Sequence, residues 1–324
     1  MSGAENGWIT GRIDKRFSMG VNNLFLSLGY GYLSGENFPV GTTFFVMMGI
    51  PLACVALTDT AAAISMLFLH SARGLLLPIV RTFKTRSSLV ICLAALLGGP
   101  VGQTSYVLGI SMAGAANALI ISSLYPIVGC LLAAFWLKQP ISGRMWLGIF
   151  LSVAGSILVG YQPEAGGNGM FHLGILFALV SALCWGSESV IAVYGMKDMI
   201  PDVAITIREV VSGTVLLFIV LPCIRGYPAL NAIYRTEGAF HFFLAAGIVA
   251  GLSYMLWYKA NHMIGCAKGM AANITYIIWG CLLNFLFGNG AEITVSVMAG
   301  CLLVMVGVVL VTVNPKKLFS KEEI

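Results

Sequence analysis

The sequence predicts an all-α integral membrane protein of ten transmembrane helices, built as two inverted five-helix repeats. Three observations carry this: an apolar composition, a series of bilayer-length apolar runs, and an internal repeat with an odd number of spans. Of 324 residues, 58% are hydrophobic and 10% charged, whereas soluble domains carry about 25% charged residues. The 38 glycines fit the same class, because small residues let membrane helices approach closely.

A helix needs about 20 apolar residues to cross the hydrocarbon core. Nine segments qualify: residues 61–80, 88–109, 114–136, 145–161, 171–195, 203–223, 240–260, 269–287 and 293–313. Before them, 42–57 is apolar and 21–35 is an interrupted run, with Glu36, Asn37 and Pro39 between. One broken first helix within 24–57 gives ten spans, and two separate spans would give eleven. The expected division is an N-terminal segment 1–20, a first repeat 21–161, a second repeat 171–313 and a tail 314–324.

Loop charge orients the chain. With ten spans and a cytoplasmic N-terminus, the outside loops hold only Arg225 and Arg235. Arg73 and Arg208 fall within helices, and the other 14 of the 18 Lys and Arg lie inside. That bias follows the positive-inside rule and places both termini in the cytoplasm. The net charge of +5 is therefore read as topogenic rather than as a nucleic-acid surface. Residues 1–16 lack the apolar core of a signal peptide, so no cleavage is expected.

A shift of 151 residues aligns Ala94 with Ala245, Gly114 with Gly265, Tyr125 with Tyr276, and Gly129-Cys130-Leu131-Leu132 with Gly280-Cys281-Leu282-Leu283. After one inserted residue, Gly148 aligns with Gly300 and Gly155 with Gly307. Five spans per repeat turn the second copy upside down, the arrangement of many secondary transporters, whose sites lie between the halves.

Ionisable residues inside a membrane are costly and mark sites. Glu188 lies within the sixth span, with Trp185 three residues earlier on the same face. An indole ring and a carboxylate together suit an organic cation, through the ring quadrupole and through neutralisation. His70, in the second span, can donate, accept or titrate. Arg73, Arg208 and Glu209 read as gating or structural charges that snorkel or pair. Asn273, Tyr276 and Trp279 form a stripe on the ninth span, and Tyr125 is the repeat mate of Tyr276. The candidate substrate-binding set is thus Glu188, Trp185, His70, Tyr125, Asn273, Tyr276 and Trp279.

The eight cysteines show no CxxC pair or zinc spacing. No GxSxG, P-loop or HExxH motif occurs, so no catalytic residue, metal or cofactor is expected. Without a Walker motif, transport has to draw on a gradient or on exchange. The expected partners are a small cationic substrate and membrane lipids, with no nucleic acid.

These residues resemble the drug/metabolite transporter superfamily of the EamA type along nearly the whole chain. The stretch from Leu124-Tyr125-Pro126 through Leu137-Lys138-Gln139 to Gly148 and Gly155 looks like its fourth and fifth helices, with Gln139 where many members carry Glu. Gly99-Pro100-Val101-Gly102, Trp185-Gly186-Ser187-Glu188-Ser189-Val190, Ile207-Arg208 and Asn273 through Trp279 are most similar to bacterial choline importers that supply phosphorylcholine decoration. That resemblance implies an inner-membrane importer of choline or a similar quaternary ammonium ion. It also implies an aromatic, acidic pocket of Trp185, Glu188, Tyr276 and Trp279, with His70 matching a histidine of the second helix. Those importers carry a Trp-Gly pair in the first helix, where this chain has Phe38 or Phe44. The alternatives are a metabolite or amino-acid exporter of the same superfamily and a non-transporting membrane scaffold.

Overall fold

The computed structural model describes residues 50–113, 115–160, 170–236, 238–275 and 295–312, with further positions between 21 and 33, at 48–49, and between 278 and 286. Among the described residues there are helices and turns and no strand. Helix α1 spans Ile50–Ala72 and begins with Pro51 in its first turn. It ends where Arg73 caps it and Gly74 turns at φ +74°. Short α2 covers Leu76–Thr82. Helix α3, Arg86–Ala113, is capped by the Thr85 side chain, which accepts from the Ser88 amide. It contains a π-helical stretch, Leu97–Gln103, around Pro100. Helices α4, Ala115–Ser122, and α5, Tyr125–Trp136, are split just ahead of Pro126. Helix α6 is Gly143–Gly160 and α7 is Phe171–Gly195.

Helix α8, Pro201–Cys223, starts on Pro201 and carries a second π stretch at Leu216–Val220. Helix α9, Tyr227–Arg235, lies in the connection to α10, Ala239–Ile264. Gly265, at φ +85°, turns the chain into α11, Cys266–Asn273, and α12 is Val295–Thr312. Among the described residues, α1, α3, α7, α8 and α10 are long and apolar enough to cross a membrane, while α5, α6 and α12 are apolar but shorter. Phe68, Leu89, Phe135, Phe218, Val295 and Leu302 point outward, as expected of a surface solvated by lipid.

The first part of the chain departs from the sequence reading. Residues 50–57 do not belong to a first helix ending at 57, because α1 runs unbroken through Thr58-Asp59-Thr60. The polar triplet fits inside a helix for a physical reason. Thr58 Oγ1 bonds back to the Val55 carbonyl at 2.9 Å, and Asp59 is buried against partners on another helix.

Small residues set the packing. Gly247 and Gly251 on α10 meet Thr58, Ala61 and Ala62 of α1, and Gly109 on α3 meets Ala178 and Gly174 of α7. Among the described residues, helices α6 and α12 make the most extensive pairing. Gly148 faces Gly307 and Gly155 faces Gly300, so the two helices run antiparallel. A Cβ at Gly148 or Gly155 would stand 2.5 Å from the opposing carbonyl oxygen. In the sequence Gly148 aligns with Gly300 and Gly155 with Gly307, and in the structure each pair is crossed.

Candidate functional site

Two adjoining zones lie on α7, one aromatic and one charged. Its sequence explains the placement: Gly174, Ala178, Ser181, Ala182 and Gly186 form a small-residue face that neighbouring helices approach closely. A Cβ at Gly186 would lie 2.8 Å from the Tyr125 carbonyl, so α5 rests directly on α7 beside Trp185. Trp185 packs against Tyr106 with ring centroids 5.2 Å apart, and against Tyr125 edge-on at 6.4 Å. Its Nε1 donates to the Gly98 carbonyl in the π stretch of α3 at 3.1 Å. Asn273 Nδ2 donates to the Tyr125 hydroxyl at 3.1 Å and ties α11 to this zone. Trp185 and Tyr106 stay half-exposed while Tyr125 is buried, and the indole packs against the apolar cluster that holds Tyr125.

One turn along α7, the charged zone begins. Glu188 Oε1 accepts from Arg208 Nε at 2.9 Å, and Arg208 Nη1 donates to Glu209 Oε1 at 2.8 Å. Asp59 Oδ2 stands 3.9 Å from Arg208 Nη1 and accepts from Ser212 Oγ at 2.6 Å. All four ionisable groups are buried, none more than 5% exposed. The guanidinium lies 5.0 Å from the centroid of the Tyr254 ring, within cation–π range. Tyr258 lies beside Glu188, its hydroxyl outside hydrogen-bond geometry. Three carboxyl groups thus face one guanidinium, and among the described residues no second Lys, Arg or His is within ion-pair distance of them.

Glycines make the charged zone possible. A methyl group on Gly98 would overlap the Glu188 carboxyl, and one on Gly99 would overlap the Ser212 hydroxyl. The π stretch of α3 therefore lies flat over Glu188 and over the Ser212 hydroxyl that holds Asp59. Such bulges recur at functional sites, and here the widened turn offers the carbonyl that Trp185 uses. Gly213 packs on the backbone of Asp59 and Thr60, which brings Ser212 and Arg208 on α8 to α1.

The structure brings together Trp185, Tyr125 and Asn273, and beside them Glu188, Arg208 and Glu209. Glu188 is paired, because Arg208, twenty residues on, reaches it from α8. Arg73 stands apart and exposed at the end of α1. His70 has its own partners: Nδ1 is 2.7 Å from Thr206 Oγ1, whose hydrogen goes to the Asp202 carbonyl, also at 2.7 Å. Thr206 must then accept from Nδ1–H, which leaves Nε2 facing Asp202 at 3.9 Å. Lys259 Nζ holds that same carboxylate at 2.7 Å. Trp279 is half-buried, and Tyr276, Phe38 and Phe44 lie outside the described residues. Sequence reasoning missed Asp59, Gly98, Ser212, Tyr106, Tyr254 and Tyr258. Asp59 sits in Thr58-Asp59-Thr60, which in the sequence looks like a polar break between two apolar runs.

One family model, described as the EamA-like transporter family, matches residues 26–161 and again 172–313. The protein LicB of Haemophilus influenzae is 29% identical over 199 residues, 60% of this chain and 65% of LicB. The matched stretch therefore spans less than two thirds of the length of LicB. An uncharacterized transporter of Bacillus subtilis, YyaM, is 22% identical over 292 residues, 89% of this chain and 92% of YyaM. A protein of known crystal structure shares the fold with a TM-score of 0.70 at 17% identity, over 96% of this chain and 99% of that one.

Proposed function

Because the chain belongs to the EamA-like transporter family, we propose that this multi-pass membrane transporter imports choline or a similar small quaternary ammonium ion across the bacterial inner membrane. The observation that carries the reading is the join of the two zones. A half-exposed indole, flanked by two tyrosines, lies one helical turn from a buried carboxylate in a cluster with surplus acid. Aromatic faces attract a cation that has no N–H to donate, and the carboxylate balances its charge. An exported amino acid would need a cation for its carboxylate, and Arg208 is already committed to Glu188 and Glu209.

Proton linkage is part of the proposal. Proton and substrate compete for Glu188, which yields exchange at a single carboxylate. Import together with a proton needs a second protonation site, and His70 facing Asp202 is the candidate. The proposed architecture is ten helices in two inverted repeats with both termini cytoplasmic. The tandem family match and the crossed glycine pairs of α6 and α12 support it.

The test is uptake of radiolabelled choline into proteoliposomes holding the purified full chain, with and without an imposed proton gradient. Saturable uptake, stimulated by the gradient and competed by other quaternary ammonium ions, is expected. No choline uptake, with efflux of amino acids instead, overturns the reading.

A further inference from the structure

We propose that Arg208 is a resident cation that the substrate displaces from Glu188, and that Asp59 is the positioning carboxylate that receives it. The inference rests on Glu188 as the substrate carboxylate.

The geometry of the four groups is uneven. Arg208 makes close bonds to Glu188 and Glu209, but Asp59 stands a full ångström further off. Asp59 is nonetheless held toward the guanidinium by Ser212, whose hydroxyl donates to the oxygen nearest Arg208. One oxygen of Glu209 is buried with no hydrogen-bond partner. A guanidinium has five N–H donors in a planar fork, so small rotations exchange acceptors without leaving it bare. The cluster therefore holds an unfilled acceptor and a second carboxylate within reach of a side-chain movement. A fixed structural ion pair needs neither.

A quaternary ammonium ion brings charge and no N–H. At Glu188 it repels the guanidinium, and the surplus acids give Arg208 somewhere to go. Glu209 lies on the same helix as Arg208 and can remain bonded throughout, so Asp59 is the acceptor that changes. Its position matters, because Glu188 is on α7 and Asp59 on α1. The exchange replaces an ionic tie between two helices of residues 171–313 with one that reaches into residues 21–161. Substrate occupancy thus becomes a change in which parts of the chain are bound together. That is the differential contact a conformational cycle requires.

The experiment is calorimetric titration of choline into the purified full chain in detergent. The samples are wild type, Asp59→Asn, Arg208→Lys, the pair Arg208→Ala with Glu209→Gln, and that pair with Asp59→Asn added. Asp59→Asn should weaken choline about tenfold, since Arg208 loses its alternative partner and holds Glu188 harder. Arg208→Lys lacks the fork that grips two carboxylates at once and should bind choline about threefold more tightly. The Arg208→Ala, Glu209→Gln pair should bind at least as tightly as wild type, and added guanidinium chloride should then compete with choline. In that background Asp59→Asn should change affinity by less than about twofold.

An equal loss from Asp59→Asn with and without Arg208 means that Asp59 acts on the substrate directly, and the exchange is wrong. Weaker binding by a folded Arg208→Lys overturns it too, and that variant decides the matter if the alanine pair does not fold. Failure of wild type to bind choline removes the substrate reading and the exchange with it. Binding by wild type with unmoved variants removes the exchange alone.

Discussion

Replacing Gly98 by alanine adds one methyl group at the place where the π stretch of α3 rests on Glu188. The new Cβ would overlap the carboxyl group. Gly98 is buried, so the backbone has no free space into which to retreat. Glu188 must move, and its 2.9 Å bond to Arg208 stretches or breaks. Overpacking a core costs about 1–3 kcal/mol, and a hydrogen bond between charged groups is worth about 1.5–3 kcal/mol. The expected destabilisation is therefore about 2.5–6 kcal/mol, together with a loss of cation affinity. The assay is thermal melting of the purified chain in detergent, followed by choline titration. Gly143→Ala is the control, since a Cβ there meets nothing within 4 Å. In the double variant Gly98→Ala, Glu188→Ala the clash disappears, so it should be no less stable than Glu188→Ala alone. If Gly98→Ala melts with the control and keeps full affinity, Glu188 is not held against α3 and the site geometry argued above is wrong.

Three further outcomes are expected. Trp185→Ala should weaken cation binding about 2- to 30-fold, and Trp185→Phe less, because phenyl keeps part of the quadrupole but loses the bond to Gly98; equal affinity in the two variants means the indole only packs. Choline affinity should fall as pH is lowered, with Glu188→Gln binding weakly and losing most of that dependence, while His70→Gln should disturb gradient-driven uptake more than affinity; full affinity with an unchanged pH profile in Glu188→Gln makes the glutamate structural. A cysteine at Gly167 should be labelled from outside, and one at Thr85 only after the membrane is made permeable; labelling of both from one side refutes the ten-span topology.

What was legible in the sequence depended on range. Helix α7 coincides with the expected 171–195, because its apolar run is uninterrupted and Trp185 and Glu188 are three residues apart on it. The glycines of α6 and α12 stood out in the sequence as aligned positions, although not as mutual contacts. Asp59 was hidden by the opposite circumstance. Its partner Ser212 is 153 residues away, and locally Thr58-Asp59-Thr60 looks like the polar break between two helices. Only burial against α8 makes that triplet helical, and no nearby residue announces it. Arg208 was visible beside Glu209, but its bond to Glu188 required knowing that α7 and α8 fold side by side. The clearance at Gly98 was invisible for the same reason, since a glycine shows its use only when something large comes to rest on it.

The seam between α6 and α12 has a mechanical consequence. Backbone meets backbone at Gly148 with Gly307 and at Gly155 with Gly300, and the side chains of Ser152, Val304 and Val311 pack directly against the same glycines. Those side chains fill the space beside each glycine, so one helix cannot turn against the other without displacing them. Seven residues of helix separate the two glycine contacts, about 10 Å of axis, enough to stop the pair from splaying apart. Such a seam resists rotation as well as separation, in the manner of a spline. Its closeness, rather than any particular bond, is what leucine in place of one of these glycines would destroy.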